Sequence, residues 1–512
     1  MGKMEYYLTR RKLIKSTALM GIAGAMSPLT GLSQTTQTKK AGLLAVENSK
    51  PGTLEWQLQY TRFDDPISLA SYPLIRCLRS SMIEGYVSKT SLYPGESIDF
   101  KISTNPARKF FIDIYRLGYY GGTGGRHLTR LGSFSGRPQP IPMMSVERLR
   151  ECNWETAATL TIPNDWPSGV YLGKLSLDDA FGKQSYVIFV VKDRNPSDIL
   201  FQVSDLTWQS YNKWPGRDSL YDDGTPEVWY TGPNVRVSFD RPYAKYCQVV
   251  DAALSAGSGE YLLWEFPLAF WLEKEGYNVT YCSNLDLHLD PDILARSKAF
   301  ISVGHDEYWS RKMFEEALRA RDNGLSFAFF SGNSISGELN MFDSSISGEP
   351  CRAFSRKKDF DDENTLMGNT SYGPGYGDWV VKNSGYWIYE DTGLKDGDKI
   401  PAMIGWEFHG PPFPNIPGLV EVAKSVVWQM GDVGASKPET KELIHSGIVY
   451  PGPKGNWVFN AGTIWWSEAL SQPPGHIPAG YNPEMRTFGV NTHIQKITSN
   501  ILDRMIKESP RK

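Results

Sequence analysis

Residues 299–333 read AFISVGHDEYWSRKMFEEALRARDNGLSFAFFSGN, and this stretch decides the fold class. The apolar run Ala299–Val303 predicts a short buried strand, and Gly304 marks its end. Helical spacing of apolar side chains predicts a helix over Trp309–Arg321, and the run Leu325–Phe330 predicts a second strand. Strand–helix–strand units build parallel sheets, so the sequence predicts an α/β region here.

Polar residues follow both predicted strands at the point where each strand ends. His305, Asp306 and Glu307 follow the first strand, and Asn333 follows the second. Open α/β sheets bind ligands beyond the carboxyl ends of their parallel strands. Three such groups in a row are costly to bury without partners, so we expect a functional site here. The alternative interpretation is that they cap the helix and hold the turn.

The composition is that of a globular protein with no strong preference for a charged partner. The net charge is only −3, and the 54 Lys and Arg residues are scattered along the 512-residue chain. Phosphate binding requires a basic face, so this pattern argues against nucleic acid as a partner. The length corresponds to two or three domains of ordinary size.

The first residues resemble an export signal rather than part of the fold. Thr9–Lys15 reads TRRKLIK, which matches the twin-arginine pattern, and the weakly apolar Ser16–Leu32 is too short to span a membrane. We therefore interpret residues 1–33 as a twin-arginine signal peptide and 34–82 as a lead-in segment. This interpretation predicts a periplasmic or secreted protein with no stable membrane anchor. The alternative is an ordinary basic signal region.

The five cysteines are far apart in the sequence. No CxxC pair occurs, which argues against a structural zinc site. Because their number is odd, at least one thiol is free. One disulfide is possible, but the sequence does not indicate which cysteines would form it. The cysteines are Cys77, Cys152, Cys247, Cys282 and Cys351.

Residues 83–193 show the pattern of an immunoglobulin-like β-sandwich. Short segments of alternating polar and apolar residues are separated by Gly- and Pro-rich turns. A glycine- and aromatic-rich loop, Gly118–Gly125, lacks the GK[ST] ending of a phosphate-binding loop. The predicted strands are 84–88, 98–103, 110–115, 157–162, 169–175 and 185–191.

From residue 196 to residue 512 the pattern changes to alternating strands and helices. This change predicts a flavodoxin-like or class I glutamine amidotransferase-like α/β domain, so the expected fold class is α/β plus β. The boundary is expected at residues 195–197, where the sequence is Asn-Pro-Ser. The main predicted elements are strands 199–203, 278–281, 402–407, 448–450 and 457–460, and helices 262–274 and 492–508.

The predicted strand exit at residues 304–307 offers no covalent nucleophile. Amidotransferase-like sheets carry Cys or Ser at this elbow. The sequence here is Gly-His-Asp-Glu, without a GxSxG or GxCxG pattern. A cysteine or serine triad is therefore poorly supported.

A metal site is the other option that the residues offer. His305 and Glu307 flank a turn and alternate as ligands often do, and His409 lies in a second polar strand exit. Tyr211 and Tyr243 would supply phenolate oxygens, which suit a hard acid such as ferric iron. From spacing alone, the simpler interpretation of both tyrosines is that they are buried aromatic residues.

Seven phrases of the sequence carry a resemblance to one known family. In their order and spacing they resemble the large-subunit core of N,N-dimethylformamidase and its relatives, from residue 83 to the C-terminus. The phrases are IEGYVSKTSLYPGESIDF, IDIYRLGYYGGTGGR, WPSGVYLGKL, SDLTWQSYNKW, SVGHDEYWS, FFSGN and GWEFHG.

The resemblance implies a fold and an activity. The core of that family pairs an immunoglobulin-like domain with an amidotransferase-like α/β domain. The family's enzyme hydrolyses a formamide C–N bond with a mononuclear iron held by two tyrosines and one glutamate. By motif, the resemblance assigns Glu307 as the carboxylate ligand and Tyr211 and Tyr243 as the phenolate ligands. Other tyrosines near the second phenolate position are Tyr221, Tyr230 and Tyr246.

The same resemblance implies the remaining site residues. Asn333 matches a polar active-site residue suited to bind an oxyanion, and His305 or Glu407 would handle protons. The expected substrate is a small amide, and a homo-oligomer or a small accessory subunit stays open as a partner.

Two departures from the family keep other functions open. The chain has no room for the lectin-like N-terminal region, and Cys351–Asp359 shows no clear match for the active-site lysine. The first alternative is a non-catalytic exported protein that binds a glycan or a partner. The second is a hydrolase that acts on another C–N bond or on an ester.

Overall fold

A region of two β-sheets precedes a mixed α/β region in the protein. The structure is a computed structural model that describes residues 43–64, 79–179, 181–226, 229–244, 255–405, 407–427, 443–477 and 489–511. The coarse expectation of α/β plus β is therefore confirmed. The predicted signal peptide, residues 1–33, lies outside the described residues, as do Cys77 and Cys247.

The first region is built from strands that bury one or both of their faces. Its elements are α1 (Leu43–Asn48), β1 (Ile83–Val87), β2 (Ser91–Leu92), β3 (Ser97–Thr104), β4 (Lys109–Leu117), β5 (Gly125–Ser135), β6 (Thr156–Thr161), β7 (Gly169–Leu177) and β8 (Gln184–Val191). A sheet of order β1-β3-β6 and a sheet of order β2-β8-β7-β4-β5 share one apolar core. In β3, for example, Ile98, Phe100 and Ile102 are buried in that core. Strand β5 was not among the predicted strands, because its side chains are mostly exposed or half-buried.

The sheet of the α/β region has seven strands. They are β9 (Ser197–Val203), β11 (Val279–Ser283), β12 (Ser297–His305), β14 (Ser326–Gly332), β21 (Val420–Val427), β22 (Leu443–Pro451) and β23 (Trp457–Asn460). Their spatial order is β11-β9-β12-β14-β23-β22-β21, and the first five are parallel. Counted along the chain, these five parallel strands lie in the order 2-1-3-4-5. They are apolar on both faces, as expected for a parallel sheet covered on both sides.

Helices and smaller sheets surround this central sheet. The helices are α2 (Asp205–Tyr211), α3 (Tyr261–Trp264), α4 (Phe266–Lys274), α5 (Asn284–Leu289), α6 (Arg311–Asp322), α7 (Asn364–Met367) and α8 (Thr492–Lys507). The remaining strands are β10 (Arg236–Ser238), β13 (Tyr308–Ser310), β15 (Gly337–Phe342), β16 (Ala353–Asp359), β17 (Asn369–Pro374), β18 (Gly377–Val380), β19 (Lys399–Ile404) and β20 (Glu407–Pro412). Among the described residues, no helix is long and apolar enough to cross a membrane.

The strand–helix–strand unit predicted over residues 299–333 is present, with shifted boundaries. Strand β12 does not stop at Gly304 but continues to His305, because a glycine accommodates the φ of 68° at that position. Helix α6 begins at Arg311, after the short strand β13, because the Ser310 hydroxyl accepts the backbone N–H of Met313 as an N-cap.

Two other predicted elements are divided in the structure. The single helix expected over residues 262–274 is the pair α3 and α4, separated at Glu265. The strand expected over residues 402–407 is replaced by β19 and β20, which belong to different two-stranded sheets. Three cysteines, Cys152, Cys282 and Cys351, are described, and all three are free and buried.

Candidate active site

Five of the six predicted site residues meet beyond the carboxyl ends of the central parallel strands. Helix α2, which carries Tyr211, follows β9, and Glu307 follows β12. Asn333 follows β14, and Glu407 begins β20 beside it. Strands β9 and β12 are neighbours whose connections leave the sheet in different directions. Such a switch point is where open α/β sheets place their ligands.

Glu307 is the centre of a cluster of phenol groups. The Tyr211 hydroxyl donates to Glu307 Oε2 at 2.6 Å, and the Tyr221 hydroxyl donates to the Tyr211 oxygen at 2.8 Å. Tyr221 also lies 3.3 Å from both carboxylate oxygens of Glu307. The three side chains are only 4–5% exposed, so these oxygens converge in a space that is nearly closed to water.

Tyr308 and Arg356 extend the cluster on one side. The Tyr308 hydroxyl is hydrogen-bonded to the Tyr221 hydroxyl, and Arg356 Nη1 donates to the Tyr308 oxygen at 3.3 Å. Arg356 lies on β16, and its charge is one of the influences that lower the pKa of Glu307. The guanidinium therefore provides a fixed positive charge beside an otherwise anionic and phenolic group.

The loop that joins α2, which carries Tyr211, to Tyr221 is held by a buried arginine. The guanidinium of Arg241 is 1% exposed and faces inward, towards the backbone of this loop. The buried ion pair of Lys213 Nζ with Asp222 Oδ2, at 2.7 Å, also holds this loop. Together these contacts fold the chain after α2 back on itself, which brings both phenols to Glu307. Arg241 donates to the carbonyl oxygens of Gln209, Asn212, Trp214 and Asp218 at 2.7–3.3 Å.

His305 lies between three carboxylates. Its Nδ1 is 3.2 Å from Glu260 Oε2, and its Nε2 is 3.0 Å from Glu407 Oε2 and 3.3 Å from Glu307 Oε2. Among the described residues, Nε2 nevertheless makes no contact with the geometry of a hydrogen bond. A fully buried ring nitrogen thus faces two carboxylates without a directed partner, which is costly unless another group completes the site.

The charges around His305 determine the protonation of the group. Burial alone would lower the pKa of His305, but the charge of Glu407 and the contacts with Glu260 and Glu307 raise it well above its usual value. Burial raises the pKa of Glu407 despite the nearby imidazole. For Glu307, the contact with His305 and the charge of that ring outweigh burial, so its pKa is lowered. Burial and the charge of Glu307 raise the pKa of Tyr211 well above 10.

Asp306 has a different role from its two neighbours. It accepts hydrogen bonds from Gln202 Nε2 at 2.8 Å, Asn284 Nδ2 at 3.0 Å and the Ser302 hydroxyl at 2.7 Å. These bonds hold the chain in place where it leaves β12. The interpretation that polar residues here hold the turn is therefore correct for Asp306, whereas His305 and Glu307 face the cluster.

Asn333 and Glu407 form the opposite wall of the site. Asn333 Nδ2 donates to Glu407 Oε2 at 3.2 Å. The backbone of Asn333 has a φ of 50°, a left-handed conformation that asparagine tolerates better than most residues. His409 does not reach the cluster, because its Nε2 accepts the Ser334 N–H at 3.0 Å and its Nδ1 bonds to Asn460.

The structure does not bring Tyr243 to Glu307. The Tyr243 ring packs 6.3 Å from that of Trp208, centroid to centroid, and lines a small cavity next to β1 and β8. Its place beside Glu307 is taken by Tyr221. Of the six residues expected at the site, the structure therefore brings together Tyr211, His305, Glu307, Asn333 and Glu407.

The oxygen-rich set around Glu307 suits a hard metal ion. Among the described residues, no group of three His, Cys, Asp or Glu side chains forms a metal-binding cluster. The present set is of another kind, because two phenols and one carboxylate supply its oxygens. These oxygens fit a hard cation such as ferric iron. A bound cation would also favour the phenolate forms that burial otherwise disfavours.

Four residues of the site were not predicted from the sequence. Tyr221 was noted only as one of several nearby tyrosines, and Tyr308 was passed over although it follows Glu307 directly. Arg356 was not predicted, because the resemblance implies a lysine in that segment. Glu260 carries no sequence signal, since it lies far from His305 along the chain.

The fold and the site together define the class of the protein. It is an α/β protein, preceded by a region of two β-sheets, with a buried carboxylate–phenol–imidazole site at the carboxyl edge of its sheet. The chain belongs to the family described as N,N-dimethylformamidase beta subunit-like, C-terminal, whose sequence pattern matches residues 111–479. The resemblance seen in the sequence is therefore confirmed.

Comparisons with other proteins add little to this assignment. No curated protein matches the chain. A superoxide reductase (neelaredoxin) from Ignicoccus hospitalis is 11% identical, with a TM-score of 0.14 over 22% of this chain and 82% of that one. A cycloisomaltooligosaccharide glucanotransferase from Paenibacillus sp. is 9% identical, with a TM-score of 0.19 over 83% of this chain and 80% of that one. Such scores support no conclusion about fold or function.

Proposed function

We propose that this protein is an iron-dependent hydrolase of a small amide, similar in chemistry to N,N-dimethylformamidase. The observation that carries the proposal is the convergence of Tyr211, Tyr221 and Glu307 within 2.6–3.3 Å of one another. Membership of the family supports the same reading. The absence of Cys or Ser from residues 304–307 favours attack by water over a covalent route.

In this proposal Tyr211, Tyr221 and Glu307 would hold the iron. Tyr221 replaces Tyr243, which the sequence had suggested, because Tyr221 shares hydrogen bonds with both other ligands. A bound ferric ion would polarise a substrate carbonyl or lower the pKa of a water molecule. Arg356 and Tyr308 would keep Tyr221 in place through their hydrogen bonds.

The surrounding side chains would handle protons and charge. Amide cleavage requires a proton on the departing amine, and His305, whose pKa is raised, is suited to supply it. Glu407, 3.0 Å from the imidazole, would accept a proton from the attacking water and pass it to His305, which replaces the proton given to the amine. Asn333 would donate to the negative oxygen that forms on the former carbonyl.

The remaining expectations are part of this proposal. The 2-1-3-4-5 order of the parallel strands is that of flavodoxin-like sheets, which supports an amidotransferase-like assignment for residues 196–512. We assign residues 83–193 to an immunoglobulin-like sandwich on the basis of their two sheets with one core. Export by the twin-arginine pathway to the periplasm or beyond would allow iron to be loaded before transport.

The first experiment measures iron and colour in matched tyrosine variants. The full-length protein should contain nearly one iron per chain and show a visible tyrosinate-to-iron absorption band. Tyr221→Phe should lose the band and most of the iron, whereas Tyr243→Phe should keep both. A protein that stays colourless and cannot be loaded with iron would contradict the proposal, and loss of iron only in Tyr243→Phe would restore the earlier ligand assignment.

The second experiment tests the reaction. A panel of small formamides, acetamides and esters should show release of amine from at least one amide, and Tyr211→Phe should abolish it. Full iron occupancy with no turnover of any compound would reject the hydrolase proposal. It would favour the non-catalytic binding protein instead. Turnover of esters alone would redefine the substrate class.

A further inference from the structure

Glu260 makes a contact to the site that the proposed chemistry has not used. Its Oε2 lies 3.2 Å from Nδ1 of His305, and the two side chains are 2% and 1% exposed. The other oxygen, Oε1, has no hydrogen-bond partner among the described residues. The His305 ring is therefore the partner of this carboxylate, although the two residues lie on different elements.

We propose that Glu260 is a positioning residue, whose carboxylate holds the His305 ring so that Nε2 faces Glu307 and Glu407. This inference rests on the proposed function, since it concerns the imidazole that would move protons there. It assigns to Glu260 no contact with substrate or iron.

The approach of Glu260 to His305 is built into the backbone. Glu260 directly precedes α3, and α3 packs against β12 where that strand passes Gly304. A Cβ on Gly304 would lie 2.4 Å from Cβ of Trp264, in the same short helix. A side chain at position 304 would thus push α3 away, so the absence of one permits the contact between Glu260 and His305.

Imidazole needs such a partner because its two nitrogens are not equivalent. A hydrogen bond from Nδ1–H to a carboxylate fixes both the tautomer and the orientation of the ring. Without it, the buried ring is free to rotate and to present carbon, or the other nitrogen, to Glu307 and Glu407. In metal sites, removal of a group that orients a reacting side chain typically costs about 10–100-fold in activity.

The contact could instead be structural only, and a matched carboxylate separates the two roles. Glu265 lies in the same segment and is also buried, but it accepts hydrogen bonds from Trp208 Nε1 at 2.7 Å and from the Ser204 N–H at 3.3 Å. Substitution of Glu265 disturbs the same part of the chain without a direct change at His305.

The experiment compares Glu260→Ala, Glu260→Gln and Glu265→Gln in the full-length protein. The first readout is ¹⁵N NMR of the histidine rings without added iron, with the His305 signals assigned by a His305→Asn variant. Glu260→Ala should shift the His305 signals, while Glu265→Gln should leave them in place. Unchanged His305 signals in Glu260→Ala would overturn the proposal whether or not the protein is a hydrolase.

The second readout is turnover in the iron-loaded protein. Glu260→Ala should lower kcat by about 10–100-fold, with KM and iron content nearly unchanged. Glu260→Gln should recover most of the rate, because its amide oxygen still accepts Nδ1–H. An equal loss in Glu265→Gln, or no recovery in a folded Glu260→Gln, would show that the contact is merely structural. If the parent protein hydrolyses nothing, the proposed function fails while the NMR result still decides the role of Glu260.

Discussion

Two buried histidines, His409 on β20 and His305 at the end of β12, have opposite surroundings. His409 donates from Nδ1 to Asn460 Oδ1 at 2.9 Å and accepts the Ser334 N–H at Nε2, so both ring nitrogens are satisfied by neutral groups. His305 is surrounded by carboxylates, and its Nε2 makes no hydrogen bond to a described residue. Burial lowers the pKa of His409 to about 3, whereas nearby charges raise that of His305.

The two histidines therefore have different roles. His409 belongs to the packing of the fold, and His305 belongs to the candidate active site. The group around His409 is neutral and complete, which is how buried polar groups stabilise a fold. The group around His305 is charged and incomplete, and such groups persist where a ligand completes them. Substitutions in the first group should therefore change stability, and substitutions in the second should change binding and turnover.

The largest effect is expected at Glu307. Glu307→Gln removes the carboxylate ligand proposed for iron, so the protein should lose most of its iron. Because a bound metal supplies several kcal/mol of transition-state stabilisation, turnover should fall by about 10³-fold or more. The free energy of unfolding measured without iron should change by less than about 1 kcal/mol, since His305 keeps Glu260 and Glu407 as carboxylate partners. Retention of iron at the parent level would show that Glu307 is not a ligand.

Asn333→Ala should keep iron and lower kcat. Loss of a donor to the developing oxyanion typically costs about 10²–10³-fold. Alanine at a φ of 50° adds backbone strain, so Asn333→Gly is the matched control that removes the same side chain without it. Both variants should lose the rate to a similar extent in steady-state assays. Normal turnover in Asn333→Gly would show that only the backbone matters here.

In the neutral group, Asn460→Ala should reduce stability rather than activity per folded molecule. It removes bonds to His409, Asn369 and the Gly462 N–H, so the free energy of unfolding should fall by about 2–3 kcal/mol. Denaturant titration measures this change. Asn500→Ala, which loses two half-exposed hydrogen bonds on α8, is the control and should stay within about 0.5 kcal/mol. Equal losses of stability in Asn460→Ala and Asn500→Ala would contradict the view that the group around His409 stabilises the fold.

Per pH unit, the smallest effect is the change in stability that comes from His409 and His445. Burial lowers the pKa of His445 to about 4, so both rings are neutral in the folded protein near pH 6. The unfolded chain binds their protons below about pH 6.5, and stability is lost as the pH falls from there towards 4. His445→Gln should reduce this slope by about 1.4 kcal/mol per pH unit. An unchanged slope in chemical denaturation would contradict the assignment.

The local part of the fold could be predicted from the sequence. The unit over residues 299–333 combines apolar runs, helical spacing and a strand exit, all of which lie within one continuous segment. Its boundaries shifted because Gly304 adopts a positive φ within β12 and Ser310 caps α6. Glu307 and Asn333 were identified because strand exits are visible in the sequence.

The choice between the tyrosines could not be made in this way. Tyr221 reaches Glu307 because Arg241 folds the intervening loop by binding three of its carbonyl oxygens and one at the end of α2. The spacing of residues along the sequence does not indicate such a contact between a side chain and a distant backbone. Glu260 could not be predicted for a similar reason, since its partner His305 lies on another element. The finer domain assignments and the metal stay predictions.

The effect of substitutions on activity would not by itself distinguish the role of Asp306 from that of Glu307. In a saturation-mutagenesis survey scored by activity, Asp306 would look as indispensable as Glu307, because loss of its bonds to Gln202, Asn284 and Ser302 would move the whole strand exit. Yet its oxygens are turned away from the chemistry and already occupied. A survey scored by the yield of folded protein would separate the two, since only Asp306 should then remain intolerant.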